Sequence, residues 1–156
     1  MGIRSVEMIV LVCGGRNFKD KVLLYKILDV LPITYNKIIN GAAKGADKLS
    51  TEWAEDRSIP YQEYPADWDK YRDLKPNPAG FIRNSEMLEK ENIDLVVAFP
   101  GGGGTKDMVT KAKATGIEVI SVRIINGKAQ CFSSYTKENS VFNNWIKNGS
   151  LHDREC

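Results

Sequence analysis

The residues best equipped for chemistry in this sequence are clustered glycines followed by polar or charged side chains. Pro100 to Thr105 reads Pro-Gly-Gly-Gly-Gly-Thr and follows the apolar run Leu95 to Phe99. Glycines let a ligand approach the backbone, and a helix starting near Thr105 would add partial positive charge from its unpaired amides. Such a loop cradles an anion, which makes Pro100, Gly101, Gly102, Gly103, Gly104 and Thr105 candidate ligand contacts. A second cluster, Gly14, Gly15 and Arg16, sets a planar, permanently charged donor beside a tight turn, as bidentate phosphate recognition requires. In a third, Gly41 to Asp47 (GAAKGAD), Gly41 and Gly45 can pack a phosphate or ribose while Asp47 accepts from a hydroxyl. A plain helix cap accounts for that segment equally well. Arg83 and Asn84, at the start of a predicted helix, are placed to contact a phosphate and a base or ribose edge. Asp67 and Trp68 offer a carboxylate for a ribose or for general base work and an indole for stacking, although core packing also explains the tryptophan.

Familiar phosphate motifs do not fit. Neither Gly101 to Asp107 nor Gly41 to Lys48 ends in the Gly-Lys-Ser/Thr of a P-loop, and Cys13 to Phe18 (CGGRNF) lacks the GxGxxG dinucleotide fingerprint. The single histidine, His152, lies near the C-terminal end, and there is no HExxH, GxSxG or CxxC motif, so a histidine triad or a catalytic metal is not expected. Cys13, Cys131 and Cys156 are odd in number and far apart, which suits reduced structural thiols.

These loops need a scaffold, and the sequence describes one. Val6 to Cys13 (VEMIVLVC) is nearly continuous apolar sequence, the mark of a strand covered on both faces in a parallel sheet. Leu23, Ile27, Val30 and Leu31 recur at helical spacing until Pro32. Strands are predicted at Lys37 to Asn40, Pro60 to Tyr64, Asp94 to Phe99 and Glu118 to Val122. Helices are predicted around Ala46 to Ala54, Phe81 to Glu91 and Thr105 to Thr115. This alternation predicts one Rossmann-like α/β domain over residues 1–123, an open parallel sheet of about five strands with helices on both faces. Residues 124–156 form a small C-terminal extension: a hairpin around Asn126-Gly127, a short helix at Val141 to Ile146 and a frayed tail from Asn148. The proline-rich stretch Pro65 to Gly80 is a long loop of the kind that often serves function.

Composition narrows the partners. With 42% hydrophobic and 27% charged residues the chain falls in the ordinary globular range, and its apolar runs are too short for a membrane helix, which needs about 20 residues. A formal charge of +2 from interspersed signs gives no one-sided basic footprint, so nucleic acid is not the expected partner. The start, Met1 to Val6, has no signal-peptide pattern, and a cytoplasmic location is expected.

Taken in order, VLVCGGRNF (Val10 to Phe18), NGAAKGADKLSTEWA (Asn40 to Ala54), PADW (Pro65 to Trp68), IRNSEML (Ile82 to Leu88) and VVAFPGGGGTKDMV (Val96 to Val109) resemble the SLOG superfamily of Rossmann-like nucleotide-binding domains, in its DUF2493 (YspA-type) branch. The resemblance implies a nucleotide or ribose-phosphate ligand, no required cofactor, and a homo-oligomer. Among related families, the Lonely Guy phosphoribohydrolases release a base from a nucleoside monophosphate with PGGxGTxxE and RKxxM motifs. Pro100 to Thr105 matches PGGxGT, and Arg83 and Met87 match the arginine and methionine. Asn84 replaces the lysine, however, and Met108 stands where the glutamate should be, with Asp107 one residue earlier.

N-glycosidic cleavage needs a carboxylate near oxocarbenium character. The sequence therefore favours a nucleotide or ADP-ribose-like sensor or sequestering protein. The alternative is a nucleotide N-glycosidic hydrolase in which Arg83 positions phosphate and Asp107 or Asp67 supplies the carboxylate. Single-stranded DNA binding, known among SLOG relatives, ranks third because basic residues do not cluster.

Overall fold

A computed structural model describes residues 6–135 and Phe142; the expected helix at Val141 to Ile146, the tail, His152 and Cys156 otherwise lie outside the described residues. The order of elements is β1 (Val6–Cys13), α1 (Lys21–Val30), β2 (Ile33–Asn40), α2 (Ala46–Asp56), β3 (Tyr61–Glu63), α3 (Ala79–Lys90), β4 (Leu95–Ala98), α4 (Gly103–Ala114), β5 (Glu118–Ile125) and β6 (Lys128–Ser133). One sheet contains all the strands in the order β3-β2-β1-β4-β5-β6. The first five run parallel, and β6 pairs antiparallel with β5.

The sheet has six strands where about five were expected. The sixth comes from the Asn126-Gly127 hairpin, whose two turn residues take φ 53 and 76, the left-handed pair that closes a two-residue β-turn. β2 also begins earlier than the apolar run Lys37 to Asn40 indicated. Its first half alternates between half-buried and exposed residues, which carries a weaker signal than a continuous apolar run.

Alternation along the strands divides the core into two layers. Met8, Val10 and Val12 of β1 and Leu95, Val97 and Phe99 of and after β4 face Leu24, Ile27 and Leu28 of α1 and Trp53 of α2. Leu11, Cys13, Val96 and Ala98 face the opposite way, onto Met87 of α3 and Met108 and Ala112 of α4. A strand buried on both faces has no polar side to show, which is why β1 and β4 read as unbroken apolar runs. Phe142 is buried in the first layer. Among the described residues no helix is long and apolar enough to cross a membrane.

Candidate functional site

β1 and β4 are neighbours, yet β1 feeds α1 on one face and β4 feeds α4 on the other. Their carboxyl ends therefore diverge and leave a crevice, the position where open α/β sheets collect ligands. Backbone contacts lock its two rims together. Phe99 N donates to Cys13 O at 2.8 Å, and Gly15 N donates to Pro100 O at 2.8 Å. Ala46 N donates to Gly15 O at 3.2 Å, tying in the start of α2.

The glycines here are of two kinds. A Cβ on Gly14 would stand 2.6 Å from Ala46 Cβ and 2.9 Å from Phe99 Cβ, and one on Gly101 would stand 2.6 Å from Gly15 N. Gly45, at φ +80, would overlap the Gly15 carbonyl, and a side chain at Gly41 would overlap the Arg83 guanidinium. These glycines are small because backbones or a guanidinium pass over them. Gly102, Gly103 and Gly104 differ: a Cβ on any of them meets no protein atom within 4 Å, and none takes a positive φ. Glycine in a helix costs about 1 kcal/mol relative to alanine, and two of these open α4. Neither packing nor a positive φ explains them.

The space they leave belongs to a cavity of about 370 Å³, within the range of about 300–1,000 Å³ typical of ligand sites. α4 enters it uncapped, since Gly102 offers no side chain to the first amides. Among the other helices the N-cap residue of α1 provides a side-chain cap, with Leu23 N donating to Asp20 Oδ1 at 3.0 Å, whereas those of α2 and α3 provide none. The N-terminus of α4 thus keeps its partial positive charge, with no side chain of its N-cap residue to offset it.

Two guanidiniums line the same cavity. Arg83 is half-buried: Nε donates to Asn84 Oδ1 at 3.0 Å, and Nη1 donates to Gly41 O and, at 3.4 Å, to Tyr64 O. Its Nη2 has no acceptor among the described residues. Burial pushes the Arg83 pKa down, opposed by the charge of Asp47, so this cation gains from a nearby anion. Arg16 stacks on Trp68, 4.9 Å from the ring centroid, and has no ion pair among the described residues. Trp68 and Phe81 line the cavity while remaining 43% and 49% exposed, which leaves aromatic surface for a planar ligand.

Asp47 is the one carboxylate lining this cavity among the described residues. It is 6% exposed, and Ala43 N donates to its Oδ2 at 3.2 Å. Burial raises its pKa from 3.8 to about 6, against the lowering pull of the Ala43 amide, Arg83 and the Gly41 amide. Burial, then the charge of Asp47, also pushes the Cys13 thiol up, so it is uncharged at neutral pH.

The other carboxylates singled out in the sequence stand elsewhere. Asp107 Oδ2 accepts from Asn84 Nδ2 at 3.0 Å and pairs with Lys111 at 2.9 Å, and Asp107 does not line the cavity. Asp67 is exposed, accepts from Lys70 N at 3.1 Å and lies beside a separate recess. Met108 is fully buried among Leu11, Cys13 and Met87, in the core and not in the cavity. Asn84 lines the cavity, but its amide is committed to Gly104 O at 3.1 Å and to Asp107, which joins α3 to the start of α4. Pro100, Gly101 and Gly45 support the walls without lining them.

Asn40, which sequence reasoning passed over, is fully buried and holds the loop after β2. Its Nδ2 donates to Asp47 O at 3.1 Å, Ser50 Oγ at 2.9 Å and Thr51 Oγ1 at 2.8 Å, and its Oδ1 accepts from Ala42 N at 2.9 Å. Asn77 was missed as well: it lines the cavity and donates to Trp68 O at 2.9 Å. The signal available for Asn40 was a polar residue ending an otherwise apolar strand immediately before a glycine. Among the described residues no group of three or more His, Cys, Asp or Glu is placed to hold a metal ion.

Fold and site together define an open, doubly wound α/β protein with a cationic, glycine-lined crevice where its strand order reverses. Residues 8–71 match the model of the YspA, cpYpsA-related SLOG family, in agreement with the resemblance read from the sequence. The matched stretch contains Gly14 to Arg16, Gly41 to Asp47 and Trp68; Arg83 and Pro100 to Thr105 lie beyond it and reach the same cavity through the fold. No curated protein matches the chain.

Proposed function

We propose that this chain binds a nucleotide or ADP-ribose-like ligand and acts as a sensor or sequestering protein. The observation that carries this reading is the run Gly102 to Gly104, three glycines that neither packing nor φ requires, at the uncapped start of α4 and on the wall of the cavity. In this reading a phosphate sits on the first amides of α4, with Arg83 Nη2 and Arg16 as counter-charges. Trp68 and Phe81 offer stacking surface for the base, and Asp47 accepts from a ribose hydroxyl.

A second reading, N-glycosidic hydrolysis, has one observation in its favour: a buried carboxylate, Asp47, lines the cavity with Arg83. Asp107 and Asp67, the carboxylates considered for that role from sequence, do not line it. Incubation with AMP, ADP and ADP-ribose, following thermal shift and released base together, separates the two. Stabilisation without turnover supports the binding protein, and released base supports the hydrolase. A protein that neither shifts nor turns over any of the three contradicts both readings.

A further inference from the structure

Beyond the Arg16–Trp68 pair the crevice continues into a second recess of about 480 Å³. The two compartments share Arg16, Gly41, Ala43, Trp68 and Arg83, so the same two guanidiniums stand in the walls of both. The outer recess adds Lys44, an exposed ammonium with no ion pair among the described residues. Its lining holds three cationic side chains and no carboxylate, whereas the inner cavity sets Asp47 against its two arginines. Like charges gathered in one recess repel, and Arg16 already lowers the pKa of Arg83.

The turn bearing Lys44 is also held in an unfavourable form. Ala42 takes φ 58, a left-handed conformation costing a residue with a Cβ about 1–2 kcal/mol. Two side chains fix it there: Asn40 Oδ1 accepts from Ala42 N at 2.9 Å, and Asp47 Oδ2 accepts from Ala43 N at 3.2 Å. A strained turn held by two buried side chains, next to Arg16 and Lys44, neither of which has an ion pair among the described residues, fits a built anion site better than an incidental surface dip.

The geometry points to a second anion subsite in this outer recess, so that the ligand is a nucleoside diphosphate or a diphosphate-linked derivative and not a mononucleotide. One phosphoryl group occupies the amides of α4 and the next passes Arg16 and Arg83 toward Lys44. This inference rests on the nucleotide-binding reading and adds the number of anionic groups that the site accepts.

Isothermal titration of the full chain with AMP, ADP and ADP-ribose, with Lys44→Ala alongside, tests it. ADP and ADP-ribose are expected to bind at least tenfold more tightly than AMP, and Lys44→Ala is expected to reduce that preference about tenfold. Lys44 is exposed, and circular dichroism checks that the variant stays folded. Equal affinities for AMP and ADP in the wild-type protein overturn the second subsite and leave the nucleotide site standing. Tighter, salt-sensitive binding of a short single-stranded oligonucleotide than of ADP overturns it in favour of a nucleic-acid groove. If no nucleotide binds, the underlying reading fails and this inference fails with it.

Discussion

Replacing Asp47 by asparagine should make the protein more stable at neutral pH. The carboxylate is 6% exposed, and its pKa is raised from 3.8 to about 6 because burial outweighs the help it receives from the Ala43 and Gly41 amides and from Arg83. A shift of that size means that the ionised form costs about 3 kcal/mol in the native state relative to the unfolded chain. Asparagine keeps the shape and an oxygen for the Ala43 amide while removing the charge. At pH 7.5 the variant should therefore gain up to about 3 kcal/mol, which in a chain of this size raises Tm by about 6–12 °C. The sign of the pH dependence follows from the raised pKa. Between about pH 4 and 6 the native protein holds this proton more tightly than the unfolded chain, so the cost fades as pH falls through that window. By pH 4.5 only about 1 kcal/mol of the difference should remain. Asp29 and Glu91, whose pKa values are lowered, contribute in the opposite sense, so the informative quantity is the difference between variant and wild type at each pH. Urea unfolding at pH 7.5, 6 and 4.5 measures it. A gap that does not change with pH, or a variant less stable at pH 7.5, would refute the reasoning that a desolvated charge sits in this cavity.

Asn40→Ala removes the partner of two buried hydroxyls and of the part-buried Ala42 amide; urea unfolding should show a loss of about 2–4 kcal/mol, with nucleotide affinity falling because the loop carrying Ala42 and Asp47 is released. Met108→Glu, which would complete the PGGxGTxxE pattern, should instead unfold or strongly destabilise the protein, by about 3 kcal/mol or more, because residue 108 is fully buried in an apolar layer. Its thermal melt checks this, and a stable variant that releases base from AMP would show that the residue faces ligand after all.

Local pattern carried the fold, and long-range placement carried the site. β1 and β4 were legible because strands buried on both faces have no polar side, and the glycine clusters were legible because each follows the carboxyl end of a strand. The adjacency of β1 and β4 was not, since strand order is set by crossovers that no local spacing records. The same limit applies to the carboxylates. Asp47, Asp67 and Asp107 each looked serviceable in sequence, yet which one enters the cavity depends on contacts across the fold. The bond from Arg83 to Gly41 spans 42 positions, and that from Asn84 to Asp107 spans 23. Asn40 was overlooked because a polar residue at a strand end resembles a loop residue until its four partners are seen. The loop Pro100 to Thr105 looked uniform in sequence, but Gly101 is packed against backbone while Gly102 to Gly104 border open space.

That distinction gives the most direct test of the nucleotide-binding proposal, a paired measurement on Gly103→Asp. The new side chain meets no protein atom within 4 Å at its Cβ, and it places a carboxylate in the first turn of α4, where negative charge is favourable. Without ligand, urea unfolding should show the variant about 1 kcal/mol more stable than wild type. Titration with ADP and ADP-ribose should show affinity falling at least tenfold, because the aspartate takes the place of the phosphate. A variant that is more stable and binds as the wild type does would contradict the account, since the glycines would then not be there for the ligand.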